Sequence, residues 1–251
     1  MGIVNVTPDS FSDGGDFFAT GKAVSHGRKL SADGAHILDI GGESTRPGAQ
    51  PVDEGIEAQR VRPVVEALAA EGAVISIDTR HASVMETALA AGALIINDVS
   101  ALEGDPRSLA IAAASDADVV LMHMRGEPAT MNDDPVYDDV VEDVYAYLAR
   151  RVEVCLQAGI PLDRLAVDPG IGFGKRKQHS YALIENLSRF KGLGCPLLIG
   201  VSRKLGQANR PKDRVADSVR WAMIAVENGA DILRVHDVKE TAAALGEAGR
   251  A

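Results

Sequence analysis

Short β-branched apolar runs alternate with longer helical stretches from one end of the chain to the other, and that alternation restricts the fold more than any other feature. Eight runs read as strands: Gly2 to Val6, Ile37 to Ile40, Val74 to Ile77, Leu94 to Ile96, Val119 to Met122, Leu165 to Val167, Leu197 to Gly200 and Ile232 to Val235. The stretches between them carry apolar residues at helical spacing. Val52 to Ala70 has Ile56, Val61, Val64, Val65 and Leu68, and Tyr137 to Ala158 has Val140, Val141, Val144, Leu148 and Val152. Gly34, Gly92, Gly159 and Gly229 stand where a helix would stop before the next strand. Each strand–helix pair takes about 30 residues, so 251 residues hold eight of them. This is the arithmetic of a (β/α)8 TIM barrel, one domain over residues 1–251, with its chemistry at the C-terminal ends of the strands. A doubly wound open sheet is the alternative, but it gathers polar chemistry at one switch point, whereas here nearly every strand ends in a polar group.

Composition narrows the function. Apolar residues make up 46% and charged residues 25%, which excludes intrinsic disorder. A net charge of −10 repels nucleic acid and anionic lipid, so neither is expected as a partner. No apolar run approaches the roughly 18 residues of a membrane span, and the first residues lack the pattern of a secretory signal. Cys155 and Cys195 have no metal-ligand spacing and sit in apolar contexts that suit small buried thiols. A reducing, cytoplasmic setting is expected.

At or just past the strand ends stand Asn5, Asp39, Asp78, Asn97 with Asp98, His123, Asp168, Ser202-Arg203-Lys204, and Arg234 with His236. Polar residues often end strands as caps or turn formers. Eight strands out of eight exceed that habit, and caps alone would not need the basic complement of Lys204, Arg234, Arg46 and His236. Asp78 and Asp168 follow apolar runs directly, so rigid strands can present their carboxylates to the N–H donors of a flat heterocycle. Asn97 can both donate and accept. Such a site reads a guanine-like or pterin-like edge, and Arg234 could stack on the ring.

The segments Asn5 to Gly15 and Gly41 to Gly48 are long, glycine-bearing and rich in hydroxyls, as expected of loops that close over a substrate. Thr45 and Arg46 suit phosphate oxygens there. Gly170 to Lys175 resembles a dinucleotide fingerprint only superficially, having the wrong spacing. His123 reads as a satisfied near-core histidine, and Trp221, Met223 and Ile224 as helix core. The acidic run from Asp133 to Asp143 reads as a solvated loop and helix start.

Eight collinear segments then point to a family: NVTPDSFSDGG from Asn5, DIGGESTRPGA from Asp39, SIDT from Ser76, INDVS from Ile96, LMHM from Leu121, DPGIGFGK from Asp168, SRK from Ser202 and RVHDVKET from Arg234. Over nearly the whole chain the sequence resembles the dihydropteroate synthases, pterin-binding enzymes of folate biosynthesis. The resemblance implies a TIM barrel, commonly a homodimer, that joins p-aminobenzoate to 6-hydroxymethyl-7,8-dihydropterin diphosphate and releases diphosphate with help from Mg2+. It implies catalysis by Lys204, Asp78, Asp168 and Asp13. Asp168 would accept from the pterin amino group and ring N–H, Lys204 would donate to the opposite edge, and Asp78 and Asn97 would hold the remaining nitrogens. Arg234 would cover the ring, while Thr45, Arg234 and His236 would receive the diphosphate and Asn5 the magnesium ion. Pro8, Phe11, Arg46, Pro47 and Leu205 would line the p-aminobenzoate side, where sulfonamides would compete.

The sequence departs from the family after Lys204, where Leu205-Gly206-Gln207 leads quickly to Pro211 and leucine replaces a small or polar residue. It also opens directly on the first strand, without the leading segment the resemblance implies. Three other readings are a barrel methyltransferase acting on methyl-tetrahydrofolate, a non-catalytic pterin-binding protein, and a Schiff-base aldolase using Lys204. Ser202-Arg203 beside Lys204 and the Thr45-Arg46 anion loop favour the diphosphate-releasing enzyme.

Overall fold

A computed structural model describes residues 1–7, 15–43, 52–126, 131, 134–205 and 211–249. The strands are β1 (Gly2–Asn5), β2 (Ile37–Gly41), β3 (Val74–Asp78), β4 (Ile95–Asp98), β5 (Asp118–Met122), β6 (Leu165–Asp168), β7 (Leu198–Ile199) and β8 (Ile232–Leu233). The helices are α1 (Gly15–Ala32), α2 (Glu54–Ala70), α3 (Ala82–Ala90), α4 (Ser108–Ala114), α5 (Val140–Gln157), α6 (Lys177–Glu185), α7 (Leu187–Phe190), α8 (Pro211–Glu227) and α9 (Val238–Glu247). Every expected strand is present; β7 and β8 hold the ladder for two residues each, shorter than their apolar runs. The expected stop glycines Gly34, Gly92, Gly159 and Gly229 all have positive φ, from 92° to 112°, a conformation that ends a helix without a Cβ penalty. At α5, Asp139 accepts from the N–H groups of Val141 and Glu142, so part of the acidic run caps a helix as expected.

β1 to β6 pair in chain order, all parallel, and β7 pairs β8. Two single bridges join these sheets, Val167 with Leu197 and Gly2 with Val235. At the first seam the Val167 N–H donates to the Pro196 carbonyl at 2.9 Å. At the second, Ile3 donates to the Val235 carbonyl at 3.1 Å and Val235 to the Met1 carbonyl at 3.0 Å. The last strand therefore lies against the first, which an open doubly wound sheet cannot achieve, and the fold is a closed parallel barrel.

Residues of alternate parity face opposite sides of the ring. One set packs outward against the helices: Leu38, Ile40, Ile75, Ile77, Ile96, Val119, Leu121 and Val167 share the main core with Val61, Val64, Val65 and Leu68 of α2 and Leu148 of α5. The other set fills the barrel. Ile95, Val120 and Leu198, with Ile37, Ala166 and Ile232 against them, form a small separate cluster inside the floor. Two residues further along those strands, on the same inward face, come Asp39, Asn97, Asp168 and Arg234. The period of two thus lifts a charged layer directly above an apolar plug. Among the described residues no helix is long and apolar enough to cross a membrane. Cys155 and Cys195 are buried free thiols, pushed up to about 11 by burial.

Candidate active site

The charged layer is tied together at Arg234. Its Nε donates to Asp39 Oδ2 at 2.6 Å and its Nη2 to Asp78 Oδ2 at 2.5 Å. Asp39 is fully buried and also receives Asn97 Nδ2 at 3.2 Å and 3.3 Å. In register, Gly41, Asp78 and Asn97 are direct neighbours across β2, β3 and β4, so the Asp78 and Asn97 side chains stand side by side at one level. Burial pushes the Asp78 carboxyl up to about 7, against the pull of Arg234. Arg234, expected to cover the ring, is first the cation that makes two buried acids tolerable, and only the rest of its fork remains for a ligand.

Asp168 ends β6 almost fully buried, with Oδ1 accepting the Gly170 N–H at 2.7 Å. Burial raises its pKa, opposed by Lys204, that N–H and Lys175. The turn after it packs directly on the end of β5. A Cβ at Gly170 would lie 1.9 Å from the His123 carbonyl oxygen and one at Gly174 2.3 Å from that of Arg125, and both residues have positive φ. Only glycine permits this approach. The segment that looked superficially like a nucleotide fingerprint therefore cradles a carboxylate.

Ser202, Arg203 and Lys204 diverge although adjacent. Arg203 adopts φ 63° and reaches outward to Asp237 Oδ1 at 2.9 Å. That twist sends Lys204 the other way, its Nζ 4.5 Å from the Phe173 ring centroid. Lys204 reaches solvent at the open mouth, but the surrounding walls strip water from its ammonium and draw its pKa down to about 8, against the pull of Asp168. Ser202 Oγ accepts the His236 N–H at 3.3 Å and lies 3.1 Å from His236 Nδ1, which orients that imidazole. Leu205, expected on the p-aminobenzoate side, is 3% exposed and belongs to the main core, where an apolar side chain gains most. Pro8, Phe11, Asp13, Thr45, Arg46 and Pro47 lie outside the described residues.

Asn5 ends β1 opposite Gly41 and is half-buried. A neutral carboxamide oxygen is the hard donor that Mg2+ accepts, and Mg2+ commonly takes one or two protein ligands with substrate phosphates and water. The donor chemistry fits. Among the described residues, Glu43, Glu57 and His81 also bring ligand atoms within 4.8 Å of one another. Each of the two acids already has a partner, Arg80 at 3.3 Å from Glu43 and His81 Nδ1 at 2.7 Å from Glu57.

The pterin binding enzyme family matches residues 1–236. The dihydropteroate synthase of Escherichia coli strain K12 is 48% identical over 250 residues, 98% of this chain and 88% of that protein. The Xanthomonas albilineans dihydropteroate synthase with 4-aminobenzoic acid superposes with a TM-score of 0.93 at 47% identity, covering 100% of this chain and 92% of the other. The same enzyme in complex with 7,8-dihydropteroate gives 0.89 at 44% identity, covering 100% and 93%. The chain belongs to the dihydropteroate synthase family. It is a transferase built on the TIM barrel of that family.

Two side chains of this dihydropteroate synthase site had no role in the sequence reading. Asp39 was one strand-end acid among several, although an acid two residues past an inward isoleucine was the sign of it. Lys175 lay at the end of the glycine run, yet it is 5% exposed and buried beside Asp168. Asp98, adjacent to Asn97, serves its own loop instead, accepting from Ser100 N at 2.7 Å and Leu102 N at 2.9 Å. His123 is buried and tied to Lys175, as a near-core histidine should be.

Proposed function

We propose that the chain condenses 6-hydroxymethyl-7,8-dihydropterin diphosphate with p-aminobenzoate to give 7,8-dihydropteroate and diphosphate. The observation that carries this reading is the inward layer of acceptors, Asp168, Asn97 and Asp78, with Lys204 on the side of the mouth that β7 supplies. A pterin edge carries the matching amino, ring N–H and carbonyl groups. Asp168 accepts from the amino group and ring N–H, Lys204 donates to the opposite edge, and Asp78 and Asn97 meet the remaining nitrogens.

Diphosphate is received by His236, held toward it by Ser202, by Thr45, and by the donors of Arg234 that Asp39 and Asp78 leave free. The C–O bond of the pterin methylene breaks with its electron pair on diphosphate, and the amine lone pair of p-aminobenzoate forms the new C–N bond and then loses its proton. Asp78 and Asp168 stabilise positive charge on the ring as the bond opens. Asn5 would hold Mg2+, whose chemistry is to neutralise phosphate charge. Asp13, Pro8, Phe11, Arg46 and Pro47 shape the aromatic amine's side, where sulfonamides compete. The homodimer and the cytoplasmic setting belong to the same proposal.

The test is diphosphate release from the purified chain given dihydropterin diphosphate and Mg2+, with and without p-aminobenzoate. Release that depends on the amine and yields dihydropteroate is expected. Tight pterin binding without amine-dependent release would overturn the reaction while leaving the heterocycle pocket.

A further inference from the structure

Lys175 takes no part in the steps above, yet its ammonium is buried within the site and meets three acceptors. His123 Nδ1 lies at 2.8 Å, the His123 carbonyl at 3.1 Å and the Phe173 carbonyl at 2.9 Å. Three acceptors match the three hydrogens of an ammonium, which requires His123 to carry its proton on Nε2. Burial keeps that imidazole neutral, its pKa pushed down to about 2.

Two of these contacts reach the residue that follows β5 and one reaches back into the turn after β6. Lys175 therefore pins the turn to its neighbour, and the turn supplies the Gly170 N–H on Asp168 Oδ1. The position of a Cβ on Gly170 is 3.3 Å from Lys175 Nζ, so the ammonium sits against the backbone that orients the carboxylate. A buried cation is costly, and an apolar side chain could fill the same space without that cost. Burial draws the Lys175 pKa well down, against the pull of Asp168, and it is the three acceptors around Nζ that favour the ammonium form. What that charge adds is an opposite sign beside Asp168, whose own burial favours the protonated form. A protonated carboxyl would lose an acceptor that the pterin edge needs. The charged groups facing Asp168 are Lys204, Lys175 and Arg234, and those acting on Lys175 are Asp168 and Lys204, with Arg125 beside His123.

We propose that Lys175 is a positioning residue for the pterin ring, acting through Asp168 by clamping the Gly170 turn and placing a positive charge behind the carboxylate. This rests on the reading of Asp168 as the acceptor of the pterin amino group and ring N–H.

The test compares Lys175→Gln and Lys175→Met with the unaltered full chain, using calorimetry with dihydropterin diphosphate and Mg2+ and steady-state kinetics from pH 6 to 9. Pterin affinity is expected to fall roughly ten- to hundredfold, as when a group that orients a ligating side chain is lost. The KM for the pterin substrate rises in step, the KM for p-aminobenzoate stays in place, and the acid limb of kcat/KM moves to higher pH. In an Asp168→Asn background the Lys175→Gln change costs little more, because the two act as a unit. A loss equal at every pH, or one that adds in full to that of Asp168→Asn, would reduce Lys175 to scaffold and overturn the proposal. Normal pterin binding by Lys175→Gln beside a crippled Asp168→Asn would sink Lys175 alone, whereas normal binding by Asp168→Asn would sink the reading of the pocket beneath it. If neither Lys175 variant folds, the 15N shifts of His123 in the unaltered protein decide: a proton on Nε2 and a bare Nδ1 are expected, and a proton on Nδ1 would overturn the ammonium clamp.

Discussion

Asp39 Oδ2 and Arg234 Nε lie 2.6 Å apart, joining the second strand of the barrel to the last across the first. The same guanidinium holds Asp78 with its Nη2, so one cation is shared between two acids in the interior. Arg234→Met leaves both uncompensated and is expected to cost about 3–5 kcal/mol of stability, read by urea denaturation. Arg234→Lys restores the charge without the two-pronged geometry and should fall between the two. Stability unchanged in Arg234→Met would mean that the acids are neutral in the folded protein and that the pairing has been misjudged.

Activity should depend on pH with an acid limb set by the buried carboxyls Asp78 and Asp168 and an alkaline limb set by Lys204. Asp78, pushed up to about 7 by burial, is a full acceptor only above that pH, and Lys204, drawn down to about 8, is a full donor only below it. The expected kcat/KM profile is a bell with its top between these values. Lys204→Met should flatten the alkaline limb as well as lowering the rate, and an alkaline limb surviving in that variant would assign it elsewhere. Stability runs with its own sign. A carboxyl with a raised folded pKa binds its proton more tightly folded than unfolded, so between about 4 and 7 the contribution of Asp78 falls as pH rises. Asp168, Asp98 and Glu57, also raised by burial, act in the same direction.

The barrel was legible because its physics is local. Alternating periods of 2 and 3.6, with glycines where the helices end, survive in one-dimensional form, and parity along each strand then decides which residues face inward. Asp78, Asn97, Asp168 and Lys204 could be chosen because each stands at or just past the end of a strand. Partner choice within the layer was not legible. Arg234 finds Asp39 through 195 positions of sequence separation, and Lys175 finds His123 through 52. Nothing local records either meeting. Leu205 adds a contact that no motif records: its place beside Lys204 suggests a ligand, while the structure packs its side chain in the main core.

Gly170→Ala should test the turn that cradles Asp168. The added Cβ would fall 1.9 Å from the His123 carbonyl oxygen at a residue with φ +70°, so the backbone must move and carry the N–H off the Asp168 carboxylate. Loss of about 1–3 kcal/mol or more is expected, with weaker pterin binding. Gly21→Ala is the matched control, since nothing lies within 4 Å of its Cβ position in α1. It should stabilise by about 0.5–1 kcal/mol. Equal melting temperatures for the two variants would show that the turn yields freely.

The amide of Asn97 has one orientation imposed on it. Its Nδ2 donates to both oxygens of Asp39, at 3.3 Å and 3.2 Å, which turns Oδ1 away from that carboxylate as the atom available to a ring N–H. Asp39→Asn would replace an acceptor-only group with one that can also donate, so the flip of Asn97 loses its determinant. Pterin affinity should fall about tenfold, the equivalent of about 1.4 kcal/mol. Because Asp39 also holds Arg234, the loss has two possible routes, and a double-mutant cycle separates them. If Asp39 works through the amide, Asn97→Ala should cost much less in the Asp39→Asn background than alone. Full additivity would assign the whole effect of Asp39 to Arg234, and the orientation of Asn97 would then be set by the ligand rather than by the barrel.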